Sequence, residues 1–235
     1  MTSIMLACYP EIFAAGAIIA GLPYGAATNV QQAFESMRQS SSRSPEEWGN
    51  LVRRASSHRG PWPRVSVWHG DADNTVVPSN ALAVLKQWTD VHGLALAPSA
   101  RARVDGYPRE VWLGKAGEEL VEAYTISDMA HGTPLAIDQR EGACGSAGPF
   151  LLPVGISSSY HIAKFFGITH RSSAYQTSKP ARSSDHTPED LCVLEGEILR
   201  PNEASPSSSR GAKPRWADIG ATINNAFRAA GLIKD

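Results

Sequence analysis

Two short apolar segments, separated by helical patterns, constrain the fold of this chain more than any other feature. The first, at residues 13–20, is a continuous run of small and apolar side chains (FAAGAIIA), typical of a strand buried on both faces of a parallel sheet. The second, at residues 65–68, alternates valine with a polar residue and runs into a His-Gly turn. Between them, helical patterns at 30–37 and 44–55 suit a cap or crossover layer, the second opened by a capping box. The sequence therefore predicts an α/β fold with a mostly parallel sheet and flanking helices.

Five further elements are predicted around these strands. They are a helix at 2–9 that Pro10 ends, a helix that Ser79 caps, two β segments at 110–113 and 120–126 that suit a hairpin, and a helix at 157–166. The helix after Ser79 directly follows the His-Gly loop, so strand, loop and helix form a βα unit.

The distribution of apolar residues divides the chain into three regions. Residues 1–168 carry all the strand patterns and form the predicted folded domain. Residues 169–213 are rich in Ser, Pro, Arg and Lys with little apolar periodicity, which predicts a disordered linker. Residues 214–235 have apolar side chains at every fourth position, so we expect an amphipathic helix that packs on a domain.

Charge and cysteine content exclude several classes of function. With a formal net charge of -1 and scattered Lys and Arg residues, the 235-residue chain has no field that would attract nucleic acid or an anionic membrane. The apolar N-terminal stretch is too short to span a bilayer and lacks the basic region of a secretory signal. Three cysteines are too few for a disulfide framework, which leaves open either a Cys8–Cys144 bridge or buried free thiols.

The turn after the second strand carries a candidate catalytic acid. Residues 69–76, HGDADNTV, fit the pattern H-G-x-x-D-x-x-V, which presents the acid of an α/β-hydrolase after a late strand and selects Asp73 over Asp71. A triad acid holds a histidine in the right tautomer and stabilises the imidazolium that forms. Aspartates in loops also stabilise turns, so turn chemistry is the alternative for both residues.

His131 is the candidate base. It lies 58 residues after Asp73, in a loop after a predicted strand, with Gly132 behind it and Pro134 stiffening the exit. A general base must reach both the nucleophile and its orienting acid. For this residue alone an ordinary surface-loop histidine is the alternative, but the order of acid and then base favours catalysis. The other histidines form no close ligand set, so neither a metal nor another cofactor is predicted.

No serine of this sequence has the surroundings of a nucleophile. In an α/β-hydrolase the serine sits on a G-x-S-x-G elbow between a strand and a helix, upstream of the acid. The nearest match, CGSAG at 144–148, has cysteine in place of the first glycine and follows the histidine. Ser3 lacks both flanking glycines and a preceding strand, and Ser157 suits a helix cap. The sequence thus offers a candidate acid and base without a candidate nucleophile.

Six motifs in order resemble the esterase family of poly(3-hydroxybutyrate) depolymerases, to which feruloyl and acetyl-xylan esterases are related. They are AGAIIAGLPYG (15–25), VSVWHGDAD (65–73), KQWT (86–89), VDGY (104–107), MAHG (129–132) and GISSSYH (155–161). The resemblance covers about residues 2–168 and returns in the final helix. It implies that 1–168 is the C-terminal part of an incomplete α/β-hydrolase domain. It also implies ester cleavage through an acyl-enzyme, with Asp73 as acid and His131 as base.

The same resemblance implies where the nucleophile belongs. In the family, an elbow similar to G-L-S-A-G-G-A-M leads into a helix like 2–9, so Met1 matches an internal methionine and the serine is expected a few residues upstream. We therefore expect a truncated esterase that needs no cofactor and has negligible activity alone. The implied substrate is a polyester or an acyl-polysaccharide ester, and intact relatives are expected to be secreted. The alternative is a non-catalytic remnant that binds a partner protein or an acyl ligand.

Overall fold

The computed structural model describes residues 1–138 and 142–169. Its helices are α1 (Thr2–Cys8), α2 (Val30–Arg38), α3 (Pro45–Ala55), α4 (Ser79–Val91) and α5 (Ser158–Phe166). Its strands are β1 (Ala15–Ile19), β2 (Arg64–Gly70), β3 (Ala100–Val104), β4 (Tyr107–Leu113), β5 (Glu119–Ile126), β6 (Thr133–Leu135) and β7 (Leu151–Pro153). Within this part of the chain, no helix combines the length and the apolarity needed to cross a bilayer. The predicted linker and C-terminal helix lie, except for Thr169, outside the described residues.

Five strands form one sheet in the order β1-β2-β5-β4-β3. β1, β2 and β5 are parallel, whereas β4 and β3 are antiparallel to their neighbours. Parallel neighbours need crossovers, which α2 and α3 provide between β1 and β2, while α4 lies between β2 and β5. The predicted α/β class, with parallel strands and flanking helices, is confirmed. The suggested hairpin also forms, from β4 and β5. The sequence did not predict β3 or the small parallel pair of β6 and β7.

Helices cover both faces of the sheet, and β2 contributes side chains to both apolar cores. On one face, Val65 and Val67 of β2 are buried together with Trp88 of α4 and with residues of α1 and α3. On the other face, which α5 covers, Trp68 of β2 stacks on Tyr124 of β5 with ring centroids 3.8 Å apart. β2 is therefore held from both sides, and this fixes the start of the loop that follows it.

The helix starts confirm one predicted cap and correct another. In α3 the backbone N–H of Glu47 donates to Ser44 Oγ at 3.2 Å, and the backbone N–H of Ser44 donates to Glu47 Oε2 at 2.7 Å. The prediction that Ser79 caps α4 is wrong, because Pro78 occupies the cap position and no side chain caps the helix. Pro78 already has helical angles (φ -58°, ψ -21°), so Ser79 is the first residue of the helix itself.

The two described cysteines are not bridged to each other. The Cys8 thiol lies 3.8 Å from the Tyr24 hydroxyl, and the Cys144 thiol lies 3.3 Å from the Ser157 hydroxyl. Each thiol therefore has a hydroxyl neighbour of its own. The alternative of free thiols, which the sequence left open, is the one that the structure takes, although Cys144 is exposed rather than buried.

Candidate active site

The loop between β2 and α4 presents Asp73 at the carboxyl end of a central strand. The residue is 1% exposed. Its Oδ1 atom accepts hydrogen bonds from the backbone N–H groups of Thr75 and Val76, each at 2.9 Å. This is the local turn chemistry typical of aspartate, and it orients the carboxylate so that Oδ2 faces the opposite loop. The bonds explain how a buried acid is held in one orientation.

His131 lies in that opposite loop, between β5 and β6, and its Nδ1 atom is 2.9 Å from Asp73 Oδ2. The imidazole side chain is 29% exposed, whereas the Asp73 side chain is fully buried. Because a carboxylate only accepts hydrogen bonds, Nδ1 of His131 is the donor. In the neutral ring this leaves the lone pair on Nε2, which is the atom a general base uses. The structure thus brings together the two residues that the sequence singled out.

Asp71 has a different role from Asp73. Its Oδ1 atom accepts a hydrogen bond at 2.7 Å from the backbone N–H of Asp128, which stands three residues before His131. Asp128 has a φ of 57°, a left-handed conformation that aspartate tolerates better than most residues. Asp71 therefore has the turn-stabilising role. It connects the loop between β2 and α4, the acid loop, to the loop between β5 and β6, the base loop. The spacing pattern separated the two aspartates in the same way.

His69, in β2, is hydrogen-bonded to the acid loop that follows it. It is 4% exposed, and its Nε2 atom lies 2.7 Å from the carbonyl oxygen of Val76 and 3.5 Å from Asp73 Oδ2. Burial lowers the pKa of His69, so the neutral ring donates its Nε2–H to the Val76 carbonyl. Val76 thereby connects Asp73, through its N–H, with His69, through its carbonyl. The last position of the H-G-x-x-D-x-x-V pattern thus acts through its backbone.

The glycine of the same pattern permits the close approach of the two loops. A Cβ atom placed on Gly70 would lie 2.0 Å from the carbonyl oxygen of Met129, two residues before His131. Gly132, behind the histidine, is similarly confined, because a Cβ there would lie 2.7 Å from the carbonyl oxygen of Phe150. Both glycines are therefore needed for backbone packing around the Asp73–His131 pair.

Two of the serines considered as nucleophiles, Ser3 and Ser157, are hydrogen-bonded to backbone groups. Ser3 Oγ donates to the Leu22 carbonyl at 2.6 Å, and Ser157 Oγ accepts from the N–H of Tyr160 at 3.3 Å. The CGSAG segment at 144–148 is an exposed loop. In residues 1–138 and 142–169, none of these serines is hydrogen-bonded to His131. Across the same residues no group of three or more His, Cys, Asp or Glu side chains is placed to hold a metal ion.

His161 lies apart from this pair. Its Nε2 atom is 2.9 Å from Asp105 Oδ2, and its ring is tilted against Trp68 and Tyr124 with centroids 6.2 and 5.9 Å away. These contacts connect α5 to the turn between β3 and β4. From the sequence, either a place near the site or a place in the core was expected for this residue; its observed contacts are a hydrogen bond with Asp105 and ring packing on Trp68 and Tyr124.

Comparison with known proteins relates the chain to esterases. No protein-family model matches it. Poly(3-hydroxyalkanoate) depolymerase C of Paucimonas lemoignei is 43% identical over 169 residues, which cover 72% of this chain and 41% of the relative. Acetylxylan esterase of Coprinopsis cinerea is 39% identical over 139 residues, covering 57% of this chain and 37% of the relative. Over the matched residues, the chain resembles the esterase family of poly(3-hydroxybutyrate) depolymerases and acetyl-xylan esterases.

The similarity of the chain extends to feruloyl esterases. Feruloyl esterase B of Neurospora crassa is 37% identical over 118 residues, covering 48% of this chain and 39% of the relative. The chain spans about two fifths of the length of these three relatives. The resemblance predicted from the six motifs is therefore confirmed at the level of the family.

One residue at the site was not singled out from the sequence. The Phe150 ring stands edge-on to the imidazole of His131 with centroids 6.0 Å apart, and 61% of the residue is exposed. Phe150 precedes β7, whose pairing with β6 places the residue beside the base. The sequence contains no periodic signal for strands of three residues, so this neighbour could be found only from the fold.

Proposed function

We propose that this protein hydrolyses carboxylic esters, with Asp73 and His131 as acid and base. The observation that carries the proposal is the 2.9 Å contact between Asp73 Oδ2 and His131 Nδ1, made by a buried acid and a partly exposed histidine. Similarity to a poly(3-hydroxyalkanoate) depolymerase and to an acetylxylan esterase supports the reaction class. We propose further that the attacking hydroxyl belongs to a residue outside those that the structure describes.

In this proposal each group has a role set by its surroundings. Asp73, held by two backbone N–H groups, keeps the proton of His131 on Nδ1 and stabilises the imidazolium that forms during the reaction. His131 Nε2 takes the proton from the attacking hydroxyl and then delivers it to the leaving alcohol. His69 and Asp71 do not touch the reacting atoms and serve as positioning residues for the two loops.

The substrate class follows from the relatives alone and is part of the proposal. Their names refer to poly(3-hydroxyalkanoate), acetylxylan and feruloyl esters. The shared chemistry is an ester whose alcohol or acyl portion belongs to a polymer. We propose a polyester or an acyl-polysaccharide ester as the substrate.

We also propose that residues 1–235 alone have negligible esterase activity. The serines compared with the nucleophile motif are engaged in bonds to the backbone or lie in an exposed loop. Removal of one triad member leaves only residual catalysis in serine hydrolases. An assay on p-nitrophenyl butyrate should therefore give the same rate for the wild-type chain as for its Asp73→Asn and His131→Ala variants. A wild-type rate well above both variants would place the nucleophile within this chain.

A chimera tests the catalytic pair in a complete enzyme. The matched 169-residue region of the Paucimonas lemoignei depolymerase is replaced by the corresponding region of this chain. The chimera should hydrolyse esters. Asp73→Asn should then reduce kcat by about 10⁴-fold, the loss seen when a triad acid becomes an amide. Asp71→Asn is the matched control, because its amide oxygen can still accept the hydrogen bond from the Asp128 N–H, and it should retain most of the activity if the protein folds.

Two results of the chimera experiment would contradict the proposal. One is ester hydrolysis that survives both Asp73→Asn and His131→Ala, which would remove the pair from catalysis. The other is a folded chimera without any ester hydrolysis, which would favour the alternative of a non-catalytic protein that binds a partner or an acyl ligand. Circular dichroism of each variant establishes folding before activity is compared.

A further inference from the structure

We infer that Phe150 is a specificity-determining residue that contacts the acyl chain of the ester beside His131. The inference rests on the proposed function and extends it by naming a side chain that favours larger apolar acyl groups. Three observations support the inference: the backbone conformation of Phe150, the exposure of its side chain and its position next to His131.

Phe150 occupies a position in a tight turn that suits glycine. Gly148 and Leu151 exchange two backbone hydrogen bonds, of 3.1 and 3.0 Å, and so enclose the turn. Pro149 is favourable at the second position of such a turn, whereas Phe150 at the third position has a φ of 61°. A bulky residue in this left-handed region is strained, and glycine or asparagine is the usual choice. Phe150 therefore disfavours the turn in which it lies, although Pro149 favours it.

Packing does not compensate for the strain. Phe150 is 61% exposed, and Leu151, the next residue, is also 41% exposed. A phenylalanine that served stability alone would be expected to bury its ring, since burial is the source of its stabilising energy. A strained and exposed side chain next to a catalytic base is the pattern of a residue kept for binding.

The turn and the base loop are connected so that the ring has a defined place at the site. The carbonyl of Phe150 accepts a hydrogen bond at 2.7 Å from the N–H of Thr133, two residues after His131. Gly132 packs against that same carbonyl. The edge-on contact between the Phe150 and His131 rings, 6.0 Å between centroids, places one side of an aromatic surface next to the base. An acyl chain in van der Waals contact with the ring would lie beside the imidazole of His131.

The chemistry of the ring defines what it selects. An aromatic face without a polar group favours methylene groups over water. Full burial of a methylene strengthens binding about fourfold, and a ring that covers only one side of the acyl chain should give about threefold for each methylene. Ethyl butyrate has two more methylene groups in its acyl chain than ethyl acetate. We therefore expect the intact site to prefer the butyrate ester roughly tenfold, and to lose most of this preference without Phe150.

The test uses the full chain and does not require turnover. Ethyl acetate and ethyl butyrate are titrated into the wild-type chain, into Phe150→Gly and into Phe34→Ala, while the imidazole C–H resonances of His131 are followed by NMR. Phe34 is the matched control, because it is 59% exposed on α2 and has no place in the proposed site. The expected result is a tenfold preference for butyrate in the wild type and the control, reduced to less than about threefold in Phe150→Gly.

A second readout separates binding from a structural role. Phe150→Gly should melt at the wild-type temperature or higher, because glycine adopts the left-handed conformation without strain. A clearly lower melting temperature, an unchanged butyrate preference, or the absence of any His131 shift in the wild type would each overturn the inference. These failures leave the proposed function intact if the ring of His131 still carries its proton on Nδ1. A wild-type ring protonated on Nε2 instead would contradict the proposed function itself.

Discussion

Gly70→Ala should separate the acid loop from the base loop. The new Cβ atom would lie 2.0 Å from the Met129 carbonyl oxygen, and ordinary van der Waals contact begins at 3.4 Å. The two backbones must therefore move apart by about 1.4 Å, because neither atom belongs to a flexible side chain. Half of that shift would lengthen the contact between Asp73 and His131 from 2.9 Å to about 3.6 Å, which is no longer a hydrogen bond.

The expected cost of Gly70→Ala is that of an overpacked core, about 2 kcal/mol. For a folded domain of this size, such a loss lowers the melting temperature by roughly 4 to 8 °C. Thermal unfolding followed by circular dichroism measures this change. The downfield NMR signal of the His131 Nδ1 proton, which reports the bond to Asp73, should also be lost.

Gly148→Ala is the matched control for the same substitution. Its new Cβ would lie 3.9 Å from the nearest atom, and the backbone of Gly148 is outside the left-handed region. Its melting temperature should therefore stay within about 2 °C of the wild type, as expected for a position without a packing conflict. The reasoning is refuted if Gly70→Ala melts like Gly148→Ala and keeps the Nδ1 proton signal of His131.

Three further predictions concern stability. Burial lowers the pKa of His92, so the unfolded chain binds a proton more readily than the folded one. The contribution of the neutral ring to the free energy of unfolding should therefore be complete above about pH 6.5 and decrease below it. His92→Gln should reduce the loss of stability that urea unfolding measures between pH 7.5 and 5.5. Arg109→Leu should lower the free energy of unfolding by about 3 to 5 kcal/mol, because it leaves the buried Glu122 carboxylate without its cation. Arg101→Leu, at an exposed ion pair, is the control and should cost at most about 1 kcal/mol. Equal urea midpoints for the two variants would contradict this. Ser44→Ala removes the capping box of α3 and should cost about 1 kcal/mol, so an unchanged melting temperature would be evidence against the cap.

The fold elements that the sequence predicted are those with a strong local signal. The apolar run at 13–20 became β1, and the Ser44 capping box became the start of α3. β6 and β7 have three residues each and pair across the chain, so no periodicity marks them. Ser79 was assigned as a cap from its residue type, but the helical angles of Pro78 moved the cap position by one residue.

The sequence singled out Asp73 and His131, which the structure brings into contact, but it did not predict their supporting contacts. Spacing alone separated Asp73 from Asp71, and the structure gives the two carboxylates different partners. The bond between His69 and the Val76 carbonyl depends on a side-chain direction that a motif does not specify. Phe150 was missed because its left-handed turn contradicts the preference of its residue type.

In the proposed mechanism, Asp73 holds the proton of His131 on Nδ1 and so makes Nε2 the base. The ¹⁵N shifts of the His131 ring in residues 1–235 measure this directly. In Asp73→Asn, the amide oxygen should take the place of Oδ1, which accepts from Thr75 and Val76, and so turn its NH₂ group toward His131. The proton should then move to Nε2.

We expect an Nδ1–H ring in the wild type and in the Asp71→Asn control, and an Nε2–H ring in Asp73→Asn. A wild-type ring protonated on Nε2, or the same protonation in all three proteins, would contradict the proposed mechanism.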